Sequence, residues 1–132
     1  MTIELTMLAW ALVLAGAQIL AFDLARTAQY GSKWNTGARD ATMPPLGAFV
    51  GRLQRAQNNL FETLPLFIAA VLIAHVANKD NAVTAMGAQV YLWGRVVYLP
   101  LYALGVPLLR TLVWLVSTAG LAAIIYVILA PH

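Results

Sequence analysis

Long uncharged segments alternate with shorter polar ones along the sequence. Residues 5–22 and 111–130 contain no charged side chain. A helix needs about 20 mostly apolar residues to cross the hydrocarbon layer of a bilayer, and both segments approach or reach that length. The sequence therefore predicts an apolar transmembrane helix near each end of the chain, over residues 5–26 and 108–130.

Two further helices are predicted between these spans, and both contain charged residues. The first covers residues 46–77 and is polar in its first half. The second covers residues 82–104 and is interrupted by Arg95, which divides it into pieces too short to cross a membrane separately. One helix with a buried arginine is the simpler interpretation. The predicted fold is an all-α, four-helix transmembrane bundle that forms a single domain over residues 1–132.

The composition agrees with a membrane protein and excludes several other classes. The chain is 61% hydrophobic and 10% charged, whereas soluble domains carry roughly 25% charged residues. The net charge of +3 comes from basic residues that are scattered and partly inside apolar segments, so we expect no nucleic-acid partner. The sequence contains no cysteine, so any thiol chemistry must use a thiol that a ligand supplies.

The distribution of basic residues predicts an orientation in the membrane. Residues 25–43 are expected to form one long polar loop, which contains Arg26, Lys33 and Arg39. The opposite side has Lys79 alone. Because lysine and arginine near the ends of spans favour the cytoplasmic side, the long first loop is predicted to be cytoplasmic and both termini outside.

Polar side chains repeat at helical spacing on the two middle helices. At about 100° per residue, four of them fall within an arc of about 80° on the second helix, and four within about 60° on the third. They are Arg52, Arg55, Asn59 and Glu62, and then Tyr91, Arg95, Tyr98 and Tyr102. Because charges that face lipid are costly, both stripes are expected to face protein. Arginines at such depth need an anion, which points to an anionic ligand.

Structural roles remain open for the same residues. Arg52 and Arg110 lie near helix ends and could extend to the lipid headgroups. Glu62 could form a structural ion pair with Arg55 or Arg95. The tyrosines could belong to an interfacial aromatic belt, and the four tryptophans are interpreted as packing and belt residues.

Two motifs resemble one family. Residues 52–67, RLQRAQNNLFETLPLF, resemble the second-helix signature of the MAPEG superfamily, the membrane-associated proteins of eicosanoid and glutathione metabolism. The pattern Arg95-x-x-Tyr98-x-x-x-Tyr102, followed by Arg110, resembles the third helix and the following turn of the same family. The chain is identified as a small, bacterial-type member. The resemblance implies a homotrimer that binds glutathione in clefts between adjacent subunits.

The resemblance also implies roles for individual residues. Arg110 resembles the arginine that activates the glutathione thiol, and it is the predicted catalytic residue. The residues expected to hold glutathione are Arg52, Arg55, Gln57, Asn59, Glu62, Arg95, Tyr98 and Tyr102, and no metal is expected. The implied function is a membrane-bound, glutathione-dependent transferase or peroxidase that acts, at the cleft between subunits, on a lipophilic electrophile that enters from the bilayer. The alternative is a non-catalytic member that holds a lipid headgroup or another anionic ligand in the same cleft.

The sequence departs from characterised members of the family at a few of these positions. Asn58, Thr63 and Thr111 stand where such members have an arginine, a tyrosine and a serine. Arg26 matches the arginine of the family's first helix only loosely. The resemblance therefore predicts the fold more narrowly than it predicts the substrate.

Overall fold

The part of the chain that the structure describes contains five helices. The computed structural model describes residues 1–131. The helices are α1 (Ile3–Tyr30), α2 (Ser32–Thr36), α3 (Ala48–Val76), α4 (Ala82–Ala103) and α5 (Pro107–Leu129). By length and composition, α1, α3 and α5 are able to cross a membrane. The all-helical class and three membrane spans agree with the prediction.

The remaining predicted span, over residues 82–104, corresponds to α4, a helix with a different distribution of polar residues. Its 22 residues are enough to cross a bilayer. Gln89, Arg95 and three tyrosines are spread along it, so it lacks the long apolar segment of the other long helices, and it is not among the three candidate spans. It packs most extensively against α5 and also touches α1 and α3. That α4 crosses the membrane therefore stays a prediction.

The structure differs from the prediction most clearly between the first two spans. The first helix does not end at residue 26 but continues to Tyr30, and α2 forms inside the segment predicted to be a loop. Gly31, with φ of 95°, ends α1 in a conformation that glycine adopts without strain. The Gln29 side chain then fixes the following loop. Its Nε2 donates to Pro45 O (3.0 Å) and its Oε1 accepts from the backbone N–H just before α3 (2.8 Å).

The other three helices begin and end within two residues of their predicted bounds. Local sequence signals at the start of α4 and at the start of α5 account for this agreement. The Asn81 side chain caps α4 by accepting hydrogen bonds from Val83 N (2.9 Å) and Thr84 N (3.0 Å), which stabilises a helix start. Pro107 occupies the first turn of α5, where the missing N–H is not needed. Pro65 and Pro100 both lie inside continuous helices.

The interior contains two apolar clusters, which lie at different positions along the helix axes. The larger cluster is built around Leu60, Phe67, Tyr91 and Ile124, nearer the chain termini. The smaller one, around Phe22, lies at what we call the loop end, where α1 and α4 end and α3 and α5 begin. The polar stripe of α4 faces protein as predicted, since Tyr91, Arg95 and Tyr98 are buried. The stripe of α3 does so only in part, because Arg55 and Glu62 are exposed in the single chain.

The backbones of α4 and α5 approach each other closely at Gly87 and Gly120. A Cβ atom added to Gly87 would lie 2.6 Å from Gly120 O, and one added to Gly120 would lie 2.6 Å from Gly87 O. One helix turn further towards the loop end, Ser117 Oγ donates to Tyr91 O (2.8 Å). Side chains larger than glycine would force these helices apart, so this contact fixes how α5 presents its residues to α4.

Gly87→Ala is therefore expected to destabilise the protein by about 1–3 kcal/mol, the usual effect of overpacking. The measurement is the melting temperature in detergent. Gly16→Ala is the matched control, since nothing lies within 4 Å of a Cβ added there on α1. The control should be neutral or slightly stabilising, because alanine favours a helix over glycine. Equal melting temperatures for the two variants would contradict the tight contact.

Candidate functional site

A polar cavity lies towards the loop end, between α3, α4 and α5. Its volume is about 260 Å³, and its walls are formed by Asn59, Tyr98, Arg110, Thr111 and Trp114. Four other cavities of the described residues are lined almost wholly by apolar side chains. The chemistry that could orient a polar ligand is thus concentrated in this one.

Two arginines stack on two tyrosines beside the cavity. Tyr98 and Tyr102 are one turn apart on α4, with ring centroids separated by 5.5 Å. The guanidinium carbon of Arg95 lies 4.6 Å from the Tyr98 ring centroid, and that of Arg110 lies 4.6 Å from the Tyr102 ring centroid. Cation–π attraction favours this arrangement. It holds Arg110, a residue of α5, against α4 at the edge of the cavity.

Several buried polar atoms near the cavity have no hydrogen-bond partner within residues 1–131. They are Nη1 and Nη2 of Arg95, Oδ1 of Asn59 and Nε1 of Trp114. Arg95 is only 2% exposed. A buried donor without an acceptor costs free energy, and for a charged group the cost is larger. Such a set of donors and one acceptor is suited to a ligand that brings both anionic oxygens and an N–H donor.

Arg55 and Glu62 lie on the exposed side of α3. Arg55 Nε donates to Tyr102 OH (3.2 Å), which connects it to the stacked tyrosines. Glu62 has no ion pair within the described residues, so a structural pair with Arg55 or Arg95 is not formed there. Charges on the outer surface of a membrane helix are costly. A neighbouring subunit over this side of α3 would remove that cost.

Of the eight predicted glutathione ligands, Asn59 and Tyr98 line the cavity, and the other six do not. Arg52 Nε donates to Ala103 O (2.8 Å), one of the carbonyls left free at the end of α4. Gln57 is two residues from Asn59, which places it about 200° around the helix from that residue. Its Oε1 is buried without a partner among residues 1–131. Of the predicted ligands on α3, the structure thus brings Asn59 to the cavity and Arg55 to its edge.

Tyr91, the first residue of the α4 stripe, belongs to the core instead. Its ring stacks on Phe67 with centroids 4.1 Å apart, and its hydroxyl shares a hydrogen bond with Thr63 Oγ1 (2.9 Å). Thr63 is one of the departures from characterised members of the family. The pair satisfies both hydroxyls in the interior, so Thr63 has a structural role here rather than one in the cavity.

Sequence reasoning did not select two residues of the cavity wall. The sequence marks Thr111 only as a departure from the family, and its pattern indicates a packing or belt residue at Trp114. Arg110 and Trp114 are one turn apart on α5, so helical spacing from Arg110 was the signal that could have identified Trp114. No group of three or more His, Asp or Glu side chains within residues 1–131 could hold a metal ion. Hydrogen bonding, charge and aromatic stacking are what this site offers a ligand.

These features define a helical membrane protein with a cationic, tyrosine-lined cavity towards one end of its helices. A sequence model of the MAPEG family matches residues 7–130, nearly the whole chain. The chain belongs to the MAPEG family, and the assignment made from the two motifs is confirmed. A comparison with curated proteins finds no match.

Proposed function

We propose that the protein binds glutathione in this cavity and activates its thiol towards a lipophilic electrophile, as a membrane-bound glutathione transferase or peroxidase. The observation that carries the proposal is the buried Arg95 guanidinium with two unpartnered nitrogens, placed beside Tyr98, which lines the cavity together with Arg110. Membership of a family of glutathione and eicosanoid metabolism supports the same reaction class.

The chemistry of glutathione complements the groups of the cavity. Glutathione has two carboxylates and one ammonium, and guanidinium groups bind carboxylates with charge-assisted hydrogen bonds. Arg95 supplies such donors, and Asn59 Oδ1 is a free acceptor for the ammonium or an amide N–H. The Arg110 guanidinium, which stacks on Tyr102, is the charged group of the cavity wall itself. It would stabilise the thiolate, since the thiolate rather than the thiol is the nucleophile.

The transfer reaction is written with 1-chloro-2,4-dinitrobenzene as the model electrophile. The thiol proton leaves to solvent, the thiolate sulfur forms a bond to the ring carbon, and chloride departs with the electrons of the carbon–chlorine bond. No oxidant or reductant is needed. The apolar surface of the membrane helices would deliver such an electrophile from the lipid phase.

Calorimetric titration of the purified protein with glutathione, combined with the conjugation assay, tests this proposal. Saturable binding and conjugate formation above the uncatalysed rate are the expected results. Binding without conjugation would indicate a binding protein rather than an enzyme. Absence of both would remove glutathione as the ligand, and titration with an anionic lipid headgroup would then test the alternative ligand class in the same cavity.

We also propose that the protein is a homotrimer, with the exposed side of α3 covered by a neighbour. The support is the exposure of Arg55 and Glu62 on a helix long and apolar enough to span a membrane. Native mass spectrometry in several mild detergents should show trimers. Only monomers or dimers in every detergent would contradict the proposal and leave these charges without cover.

A further inference from the structure

Basic residues are concentrated at the loop end. Six of the eight lysines and arginines lie there, on the last turns of α1, in α2 and the loop after it, and in the first turns of α3 and α5. The six are Arg26, Lys33, Arg39, Arg52, Arg55 and Arg110. The acidic residues of the same end are Asp23 and Asp40, with Glu62 further along α3. This end of the protein is therefore complementary to an anionic surface.

The length of α1 places its last turns and α2 outside the hydrocarbon layer. With 28 residues, α1 is about 42 Å long, whereas the hydrocarbon core is about 30 Å thick. If its uncharged part, residues 5–22, lies in that core, Arg26 and α2 reach the depth of the lipid headgroups. Tryptophan and arginine are typical residues at this depth.

A compact cationic and aromatic cluster occupies this position, and we call it the elbow (Arg26, Lys33, Trp34 and Arg39). The guanidinium carbons of Arg26 and Arg39 lie 5.2 Å and 4.7 Å from the Trp34 ring centroid. The Tyr30 ring meets Trp34 edge-on, with centroids 4.8 Å apart. The indole thus holds two like charges close together, which a bound anion would stabilise.

The positive charge of the elbow is only partly compensated. Arg26 pairs with Asp23 (3.1 Å). Arg39 donates to Asn35 O (3.2 Å), a neutral acceptor, and Lys33 is exposed. Neither Arg39 nor Lys33 has an ion pair within residues 1–131. In addition, the buried donors Arg26 Nε and Trp34 Nε1 have no acceptor in that part of the chain.

We propose that the elbow binds the phosphate headgroup of an anionic phospholipid in the leaflet at the loop end. The phosphate oxygens supply the acceptors and the negative charge that Arg39 and Lys33 lack. The lipid is favoured over a soluble anion because the cluster lies at headgroup depth, beside the apolar surface of α1. This site is separate from the cavity, since α1 and α2 contribute no residue to the cavity wall.

The test compares lipids with identical acyl chains on the full-length protein in detergent. Native mass spectrometry should show tighter binding of phosphatidylglycerol than of phosphatidylcholine. The double variant Lys33→Gln/Arg39→Gln should weaken phosphatidylglycerol binding roughly 25-fold, from about fivefold for each charge near a membrane surface. Lys79→Gln, which removes the same charge at the opposite end, and Asp40→Asn, which removes a negative charge, should not weaken it.

Several results would overturn the proposal. Equal binding of the two lipids, or an equal loss in Lys79→Gln, would show that the elbow does not select anionic headgroups. Competition by free phosphate at the lipid's concentration would assign the site to a soluble anion. Displacement of the lipid by saturating glutathione would place the lipid in the cavity instead. Unchanged binding in the double variant with its melting temperature retained would exclude the elbow directly.

Discussion

Arg110→Ala should slow the conjugation of a model electrophile by on the order of 100-fold. This is the usual loss when one group that stabilises negative charge in the transition state is removed. Arg110 lies in the first turn of α5 and is held over Tyr102 at the cavity wall. Its charge and the positive end of the helix dipole both favour the thiolate of bound glutathione. The affinity for glutathione should change much less, because an interaction made mainly with the reacting state affects turnover.

The ultraviolet absorbance of the bound thiolate is an independent measurement of the same effect. In Arg110→Ala it should appear at higher pH than in the wild type, because the thiolate loses its positive neighbour. Arg110→Lys keeps the charge and loses the planar group, so partial recovery of turnover would indicate electrostatics and none would indicate hydrogen-bond geometry. If Arg110 only extends to the headgroups, turnover and the thiolate titration will both match the wild type.

Helical periodicity predicted which residues of α4 share a face, because spacing within one helix is a local property of the sequence. Arg95, Tyr98 and Tyr102 form one stacked cluster, as their narrow arc required, and Tyr98 of this cluster lines the cavity. The uncharged segments similarly predicted α1 and α5, since lipid solvation acts on each span separately. The family assignment came from two motifs, on α3 and α4, and the family model that matches residues 7–130 confirms it.

Spacing within one helix does not predict which residues make contacts between helices. Nothing local distinguishes Arg52, which binds a carbonyl at the end of α4, from Arg55, which reaches the Tyr102 hydroxyl. Tyr91 has the spacing of a site residue, yet its hydroxyl is taken by Thr63 in the core. Trp114 looks like a belt residue until the close approach of α5 to α4 turns it towards Asn59. Each of these outcomes depends on the relative placement of two helices, which the pattern of one helix does not contain.

Replacing the buried Arg95 by methionine is expected to separate ligand binding from stability. The guanidinium is 2% exposed and has two unpartnered nitrogens in the described chain. Exchange of a buried charge for an apolar side chain of similar volume is often neutral or stabilising by about 1–4 kcal/mol. The ligand-free variant should therefore melt at the same temperature as the wild type or higher. Glutathione binding should weaken at least about 100-fold, because each hydrogen bond to a charged group contributes about 1.5–3 kcal/mol.

A structural role for Arg95 predicts the opposite pair of results. If the guanidinium only braces Tyr98 through the 4.6 Å stacking contact, Arg95→Met will lower the melting temperature, and the folded fraction will keep its affinity for glutathione. Arg95→Lys refines the comparison, since an ammonium retains the charge but neither the planar stacking surface nor the paired donors. Intermediate affinity in Arg95→Lys, with wild-type stability in Arg95→Met, would assign the two free nitrogens to the ligand. The thermal stabilisation that glutathione gives the wild type provides a second readout: it grows with ligand concentration relative to Kd and should be lost in Arg95→Met, because that variant no longer binds at the same concentration.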